Sequence, residues 1–140
     1  MYRKILVALD NSPTDEAMIP HITELAKVHG SHLLLLHVAD GWVARNYNRL
    51  QLADSEEMKG DRAYLDRTAA ALQAQGFTVE TALALGEPAT GILKTAAEQG
   101  CDLIAMTTHG HRFLKDLLYG STITQVRHRA SVPVLLVSAR

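Results

Sequence analysis

The chain predicts an α/β fold, a single doubly wound five-stranded parallel sheet with helices on both faces. Five apolar runs rich in Val, Ile and Leu carry this reading: Ile5 to Leu9, His32 to Val38, Phe77 to Ala84, Leu103 to Thr107 and Val134 to Val137. Most lack alternating polar positions, as strands buried on both faces of a parallel sheet do. Helical patterns fill the intervals, and strands alternating with helices imply βαβ units with right-handed crossovers. With 140 residues, 47% of them hydrophobic, the chain can bury a core of its own, so residues 1–140 are expected to form one domain. The common strand order for such a sheet is 3-2-1-4-5.

The first strand is too short for a signal-peptide core and runs straight into Asp10. The first helix has Ser12 as its expected N-cap, Pro13 at its first position and Asp15 three residues after the cap. Its apolar face is Met18, Ile22, Leu25, Ala26 and Val28, and Gly30 is its stop. Pro20 removes one helical hydrogen bond and predicts a kink. After the second strand, Asp40 to Ala53 reads as irregular, with Trp42, Arg45, Tyr47 and Arg49 in it, and is either a binding segment or a stretch without fixed structure. A second helix over Asp54 to Gln75 presents Met58, Tyr64, Leu65, Ala69 and Leu72 before Gly76. The third starts near Pro88, puts Ile92, Leu93, Ala96 and Ala97 on one face and stops at Gly100; the fourth follows Gly120-Ser121-Thr122 and carries Ile123, Val126 and Ala130.

Composition narrows the partners. The formal net charge is −1 and the Lys and Arg residues are dispersed, so neither nucleic acid nor an anionic membrane is expected to bind. No segment approaches the roughly 18 apolar residues of a membrane span. Cys101 is the only cysteine, which fits a reducing, cytoplasmic setting; it reads as a small buried hydrophobe, since no general base can be assigned to it. The final strand, Pro133 to Val137, falls at a sheet edge in the expected order and has no internal charge. Such an edge invites a second copy, so a twofold homodimer with antiparallel edge strands is expected.

The chemistry concentrates between Thr107 and Thr122. Gly110 and Gly120-Ser121-Thr122 bracket the insert His111 to Tyr119 ahead of a helical pattern. Open N–H groups at a helix start attract anions, glycine permits close approach, and hydroxyls add donors. The same residues also suit an ordinary βα turn with Ser121 as N-cap. Strand order favours the phosphate reading, because the reversal between strands one and four brings the Asp10 loop beside Thr107 to Gly110. His109 and His111 alone do not make a metal site, and His37 reads as a satisfied strand histidine. Arg112 and Lys115 either reach phosphates or stand in solvent.

No catalytic triad, paired carboxylates or metal cluster can be placed, and no lysine directly follows the last glycine as it would in a Walker loop. Any ATP hydrolysis is therefore expected to be slow and incidental. A receiver-type phosphoacceptor is disfavoured, since strand one ends in a single Asp10 and strand three leads to Gly86-Glu87-Pro88.

Arg3-Lys4-Ile5-Leu6-Val7-Ala8-Leu9-Asp10, Leu35-Leu36-His37-Val38, Gly86-Glu87-Pro88 and the segment Asp102 to Val137, in this order, resemble the universal stress protein family over essentially the whole chain. The resemblance implies a doubly wound α/β homodimer, of a family with one subclass that binds ATP and another that does not. The ATP-binding subclass is marked by G-x-x-G, nine residues, then G-S or G-T. Gly110, the insert and Gly120-Ser121 match its second half, while Thr107 occupies the first glycine position. Threonine restricts the backbone and adds a Cβ where a phosphate or ribose approaches, although its hydroxyl offers a hydrogen bond.

By analogy with those members, Ala8, Leu9, Asp10 and Val38 line the adenine and ribose, with Asp10 accepting from the adenine amino group or a ribose hydroxyl. Met106, Thr107, His109 and Gly110 border the ribose and phosphates, and Gly120, Ser121 and Thr122 the phosphate chain. The nucleotide, ATP or else AMP or ADP, brings Mg²⁺ with its phosphates. Without a nucleotide, Asp10 reads as a helix cap and Val38 as core. The resemblance thus implies an ATP-binding, dimeric regulatory or stress-response module whose occupancy alters a surface seen by an unknown protein partner. The alternatives are a dimeric stress protein without nucleotide, for which Thr107 speaks, and a weak ATPase or phosphotransfer enzyme.

Overall fold

The computed structural model describes residues 1–39, 51–109 and 116–139, and the side chains of all of these except 51–55, 57, 109 and 116–120. In chain order the elements are β1 (Lys4–Ala8), α1 (Asp15–His29), β2 (His32–Ala39), α2 (Gln51–Ala74), β3 (Val79–Leu85), α3 (Pro88–Glu98), β4 (Leu103–His109), α4 (Asp116–Arg129) and β5 (Val134–Ala139). The strands form one sheet in the order β3-β2-β1-β4-β5, every neighbouring pair parallel, as the alternation of elements predicts.

Successive side chains of a strand point to opposite faces, so each apolar run feeds two cores. Ile5, Val7, Leu33, Leu35, Leu103 and Ala105 meet Met18, Ile22 and Ala26 of α1 and Leu65, Ala69 and Leu72 of α2. Leu6, Leu34, Leu36, Ile104 and Met106 meet Ala89, Ile92 and Ala96 of α3 and Val126 of α4. The central strands are thus covered on both sides, which is why their sequences show no polar alternation.

Several boundaries differ from the sequence reading for local reasons. The helix of α1 starts at Asp15, three residues after the expected cap, because the N–H groups of Asp15, Glu16 and Ala17 first close tight turns onto the carbonyls of Ser12, Pro13 and Thr14. The residue flanking the helix is Thr14, whose side chain makes no cap. The helix continues through Pro20, which is exposed, as is Glu16, whose carbonyl that proline leaves without an N–H. Val28 falls off the apolar face and is 79% exposed, and Ala97 of α3 is likewise exposed. Gly30 ends α1 as predicted, in the left-handed conformation at φ 66° with its N–H bonded to the Ala26 carbonyl.

The second helix begins at Gln51, so the end of the stretch expected to be irregular is helical; residues 40–50, with Trp42, Arg45, Tyr47 and Arg49, lie outside the described residues. Phe77 precedes β3, its N–H closing the end of α2 on the Leu72 carbonyl at 3.2 Å. The largest shift is in α4. Its start at Asp116 makes Gly120, Ser121 and Thr122 internal residues of the helix rather than residues ahead of it.

Helix α3 has a well-defined start. Pro88 occupies its first turn, and the Glu87 carboxylate accepts from the Ala89 N–H at 3.0 Å and the Thr90 N–H at 2.8 Å. Burial acts to raise the Glu87 carboxyl, but the hydrogen bonds from Thr90 and Ala89, helped by Arg129, outweigh it and hold the group below the usual glutamate range. A carboxyl lowered on folding stabilises above its unfolded value and loses that contribution as pH falls through the folded one. Glu87→Gln is therefore expected to cost about 1 kcal/mol at neutral pH, on the scale of an N-cap. The difference from the parent in urea unfolding should shrink as pH falls through the lowered native value of Glu87 and vanish once the native glutamate is neutralised too.

Candidate functional site

The strand register opens a crevice at one place. β1 pairs with β4 only through Ile5↔Leu103, Leu6↔Ile104 and Val7↔Ala105. β1 stays with β2 as far as Ala8↔Leu36, and the Leu9 N–H then donates to the Leu36 carbonyl at 2.8 Å. β4 instead stays with β5 as far as His109↔Ala139. Beyond Val7 and Ala105 the two central strands part, at the point where strand order reverses and open α/β sheets take their ligands.

Residues expected at the site divide between the two faces of this opening. Ala8, Val38 and Met106 share the face covered by α3 and α4. Leu9 packs on the other face, in the core of α1 and α2, and strand alternation places Thr107 on that side with Ala105. Thr107 is buried there, 7% exposed, in register with Val137. Gly91 of α3 seats against Val38: a Cβ at that position would lie 3.1 Å from both Val38 methyl groups, so glycine is what lets the helix approach the strand end.

The loop after β1 is held from beneath by one carboxylate. Asp15, only 2% exposed, accepts the Asp10 N–H at 3.0 Å, the Asn11 N–H at 2.9 Å and the Tyr64 hydroxyl at 2.6 Å. Burial first, then the bond to Asp15, pushes the Tyr64 phenol far above its ordinary value, so it remains a donor. Asn11 takes the left-handed conformation at φ 57°, which asparagine tolerates better than most residues, and its side chain donates to Asp61 at 2.9 Å. The second Asp61 oxygen lies 3.2 Å from Nε2 of His37, whose Nδ1 meets the Leu9 carbonyl at 2.9 Å. His37 is thus the satisfied strand histidine that the sequence suggests. Asp10 does not cap the helix in the expected way; its carboxylate accepts from the Ser12 hydroxyl at 3.0 Å, while Asp15 reaches back to the loop amides.

The phosphate side changes more. Inside an α-helix each N–H is bonded to the carbonyl four residues back, so the amides of Gly120, Ser121 and Thr122 are taken by residues 116–118 and are not the open cradle that the spacing suggests. What remains there is hydroxyl chemistry and bare backbone at Gly120. Ser121 is exposed and its Oγ accepts from Gln125 at 3.1 Å, and Thr122 is buried at 7% exposure. His109 closes β4, while Gly110, His111, Arg112 and Lys115 lie outside the described residues.

Sequence reasoning missed the contribution of α2. Asp61 and Tyr64 stand three apart on the helix and reach the loop together, and an acidic residue on a face otherwise committed to the core was the available signal. Cys101 is buried in the α3 and α4 core, where burial pushes its thiol up, as suits a packing residue. Among the described residues no group of three or more potential ligands converges on a metal position, and no helix is long and apolar enough to cross a membrane. A solvent-open groove of about 390 Å³ follows the α1–α2 junction past Ile19, Arg67 and Ala71, sharing only Tyr64 with the polar network.

A five-stranded parallel sheet in the order β3-β2-β1-β4-β5, with helices on both faces and an opening at its switch point, defines a doubly wound α/β fold. The chain belongs to the universal stress protein family, whose model matches residues 1–138. It is similar to universal stress protein MJ0577 of Methanocaldococcus jannaschii, 29% identical over 160 residues covering 100% of this chain and 97% of that protein. The solved structure of MJ0577 superposes with a TM-score of 0.79 at 32% identity, covering 100% of this chain and 98% of that one. The fold is shared also by a universal stress protein in complex with cAMP, with a TM-score of 0.65 at 22% identity over 99% and 98% of the two chains. A universal stress protein from Archaeoglobus fulgidus in complex with dAMP gives 0.71 at 22% identity over 97% and 98%.

The loop network makes a graded prediction. Asp15→Ala removes the acceptor of two part-buried amides and a phenol and should lower stability by roughly 2–4 kcal/mol, whereas Tyr64→Phe removes one bond to a charged acceptor and should cost about 1.5 kcal/mol. Urea midpoints of the two variants and the parent measure the order; equal losses would show that the loop amides do not depend on Asp15.

Proposed function

We propose that the chain binds an adenine nucleotide, ATP in preference to AMP or ADP, in the crevice between the parting ends of β1 and β4. In this reading it acts as a dimeric, cytoplasmic regulatory module of the stress response rather than as an enzyme with rapid turnover. The observation that carries the reading is the end of β1–β4 pairing at Val7 and Ala105, with Ala8, Val38 and Met106 on one face of the opening. These side chains offer a purine an apolar wall, and Asp10 at the head of the loop offers an acceptor for the adenine amino group or a ribose hydroxyl. Leu9, buried on the opposite face, anchors the loop. The cAMP and dAMP complexes of related folds support the ligand class.

Thr107 does not oppose this reading, because its side chain belongs to the α1 and α2 face rather than to the wall formed by Met106 and Val38. Main-chain groups at Thr107, His109 and Gly110 border the ribose and phosphates. With Gly120, Ser121 and Thr122 inside α4, the phosphate chain meets two hydroxyls and a helix surface without a Cβ rather than open amides. Mg²⁺ would be held through the phosphates and water, as is usual for that ion. A protein partner would then read occupancy through the 107–120 segment.

Denaturing mass spectrometry of the purified protein should release a bound adenine nucleotide. Added Mg·ATP should stabilise the fold by about 2.7 kcal/mol at a hundredfold excess over Kd. Gly120→Val should abolish that response while leaving the fold intact. Absence of any shift with ATP, ADP, AMP and cAMP, together with no co-purified nucleotide, defeats the reading and favours the nucleotide-free alternative.

The dimer is proposed through β5. This strand lies at the sheet edge, carries no charged residue between Val134 and Ala139, and leaves Leu136 36% exposed. Sedimentation equilibrium should give a dimer for the parent and a monomer for Leu136→Lys; a parent that sediments as a monomer at micromolar concentration refutes the interface.

A further inference from the structure

We infer that Gly91 is a positioning residue that sets the depth of the base recess by leaving room for both Val38 methyl groups, an assignment that rests on the nucleotide site proposed above. Gly91 acts on the ligand only through Val38. Glycine disfavours a helix relative to alanine, so its place within α3 needs a local reason. The backbone supplies none: Gly91 is not among the glycines in the left-handed conformation, and its N–H donates to the Glu87 carbonyl at 2.9 Å as a helical residue's does. Packing supplies one. A Cβ at position 91 would lie 3.1 Å from each Val38 methyl and 3.8 Å from the Ala84 Cβ.

A carbon added there can be absorbed by retreat of the helix or by displacement of Val38. The helix is pinned on both sides of the contact. Ala89 and Ile92 are buried in the core under α3 and α4, and the Glu87 carboxylate holds the Ala89 and Thr90 amides at 3.0 and 2.8 Å. Val38 is the freer partner. Two of the three staggered positions on its Cβ carry methyls and both face Gly91, so every rotamer leaves at least one of them in contact. On one flank Val38 is in register with Ala84 of β3, against which the added carbon would also pack. On the other flank β1 has already stopped, since it pairs with β2 only as far as Ala8↔Leu36. The side chain is therefore displaced towards the side where β1 has ended, which is the crevice.

A base entering the recess of a Gly91→Ala protein would have to push Val38 back against the added carbon, so the cost of overpacking falls on binding rather than on folding. The test measures the Kd for Mg·ATP by calorimetry on the parent, Gly91→Ala, Val38→Ala and the double variant, with urea unfolding to establish that each is folded. Methyl ¹H–¹³C correlation of the parent and Gly91→Ala without ligand follows Val38 directly. Gly91→Ala should weaken Mg·ATP by about tenfold, the scale of one carbon too many in a packed site, and should shift both Val38 methyl resonances. Val38→Ala removes the two methyls, so adding Gly91→Ala to that variant should leave its Kd unchanged. Such coupling between positions 91 and 38 is what a general disturbance of α3 would not produce.

A Gly91→Ala protein that binds Mg·ATP as the parent does overturns the inference and leaves the nucleotide site standing. The same holds if Gly91→Ala weakens binding equally on the Val38→Ala background, or if Gly91→Ala does not fold, since the helix and not Val38 then takes the strain. A parent that binds no Mg·ATP defeats the nucleotide reading itself, and the role of Gly91 falls with it.

Discussion

The buried carboxylate of Asp15 is the contact on which the site end of the molecule depends. A chain leaving a central strand carries amides that have lost their sheet partners, and a buried amide without an acceptor is costly. Asp15 supplies that acceptor twice over, at Asp10 and Asn11, and draws α2 into the same arrangement through Tyr64. The loop geometry therefore does not come from the loop alone. It is imposed by the first residue of one helix and the middle of another, both fixed by apolar packing against the sheet.

That packing explains why a polar cluster can persist there. Leu65, Ala69 and Leu72 continue the buried face of α2 away from the loop, and Met18, Ile22 and Ala26 do the same for α1. Each helix is clamped over several turns, so its polar end is held at a set distance from the strand ends. The cluster then has little room to relax when one member changes, which makes its hydrogen-bond state consequential. On the opposite face no such network is needed, because Ala8, Val38 and Met106 meet α3 and α4 through carbon contacts, with Gly91 setting the closest approach.

The architecture was legible in the residues because parallel strands buried on both faces have few ways to be written. Ile5 to Leu9, His32 to Val38 and Leu103 to Thr107 all mark true strands, and Gly30 and Pro88 mark true helix boundaries. Failures occurred where one residue type serves two ends. Ser12 looks like a cap because serine caps helices, yet its hydroxyl serves Asp10 and Thr14 and the regular helix begins later. Gly120-Ser121-Thr122 looks like a helix start for the same reason, and lies inside α4. Ala8, Val38 and Met106 were pointed to by the family resemblance rather than by strand order, and the structure puts all three on one face of the sheet. Asp61 and Tyr64 were pointed to by neither, because no local pattern says which loop a helix fifty residues later will touch.

The short seam between β1 and β4 has a mechanical consequence. Three rungs join the two flanks of the sheet, β3-β2-β1 on one side and β4-β5 on the other. Adjacent strands are rotated against each other in any twisted sheet, and a seam this brief leaves that rotation weakly constrained at its open end. The apolar layers carry the junction instead: Ile5 and Val7 pack with Leu103 and Ala105 on one face and Leu6 with Ile104 on the other, so side chains rather than backbone rungs weld the two flanks together.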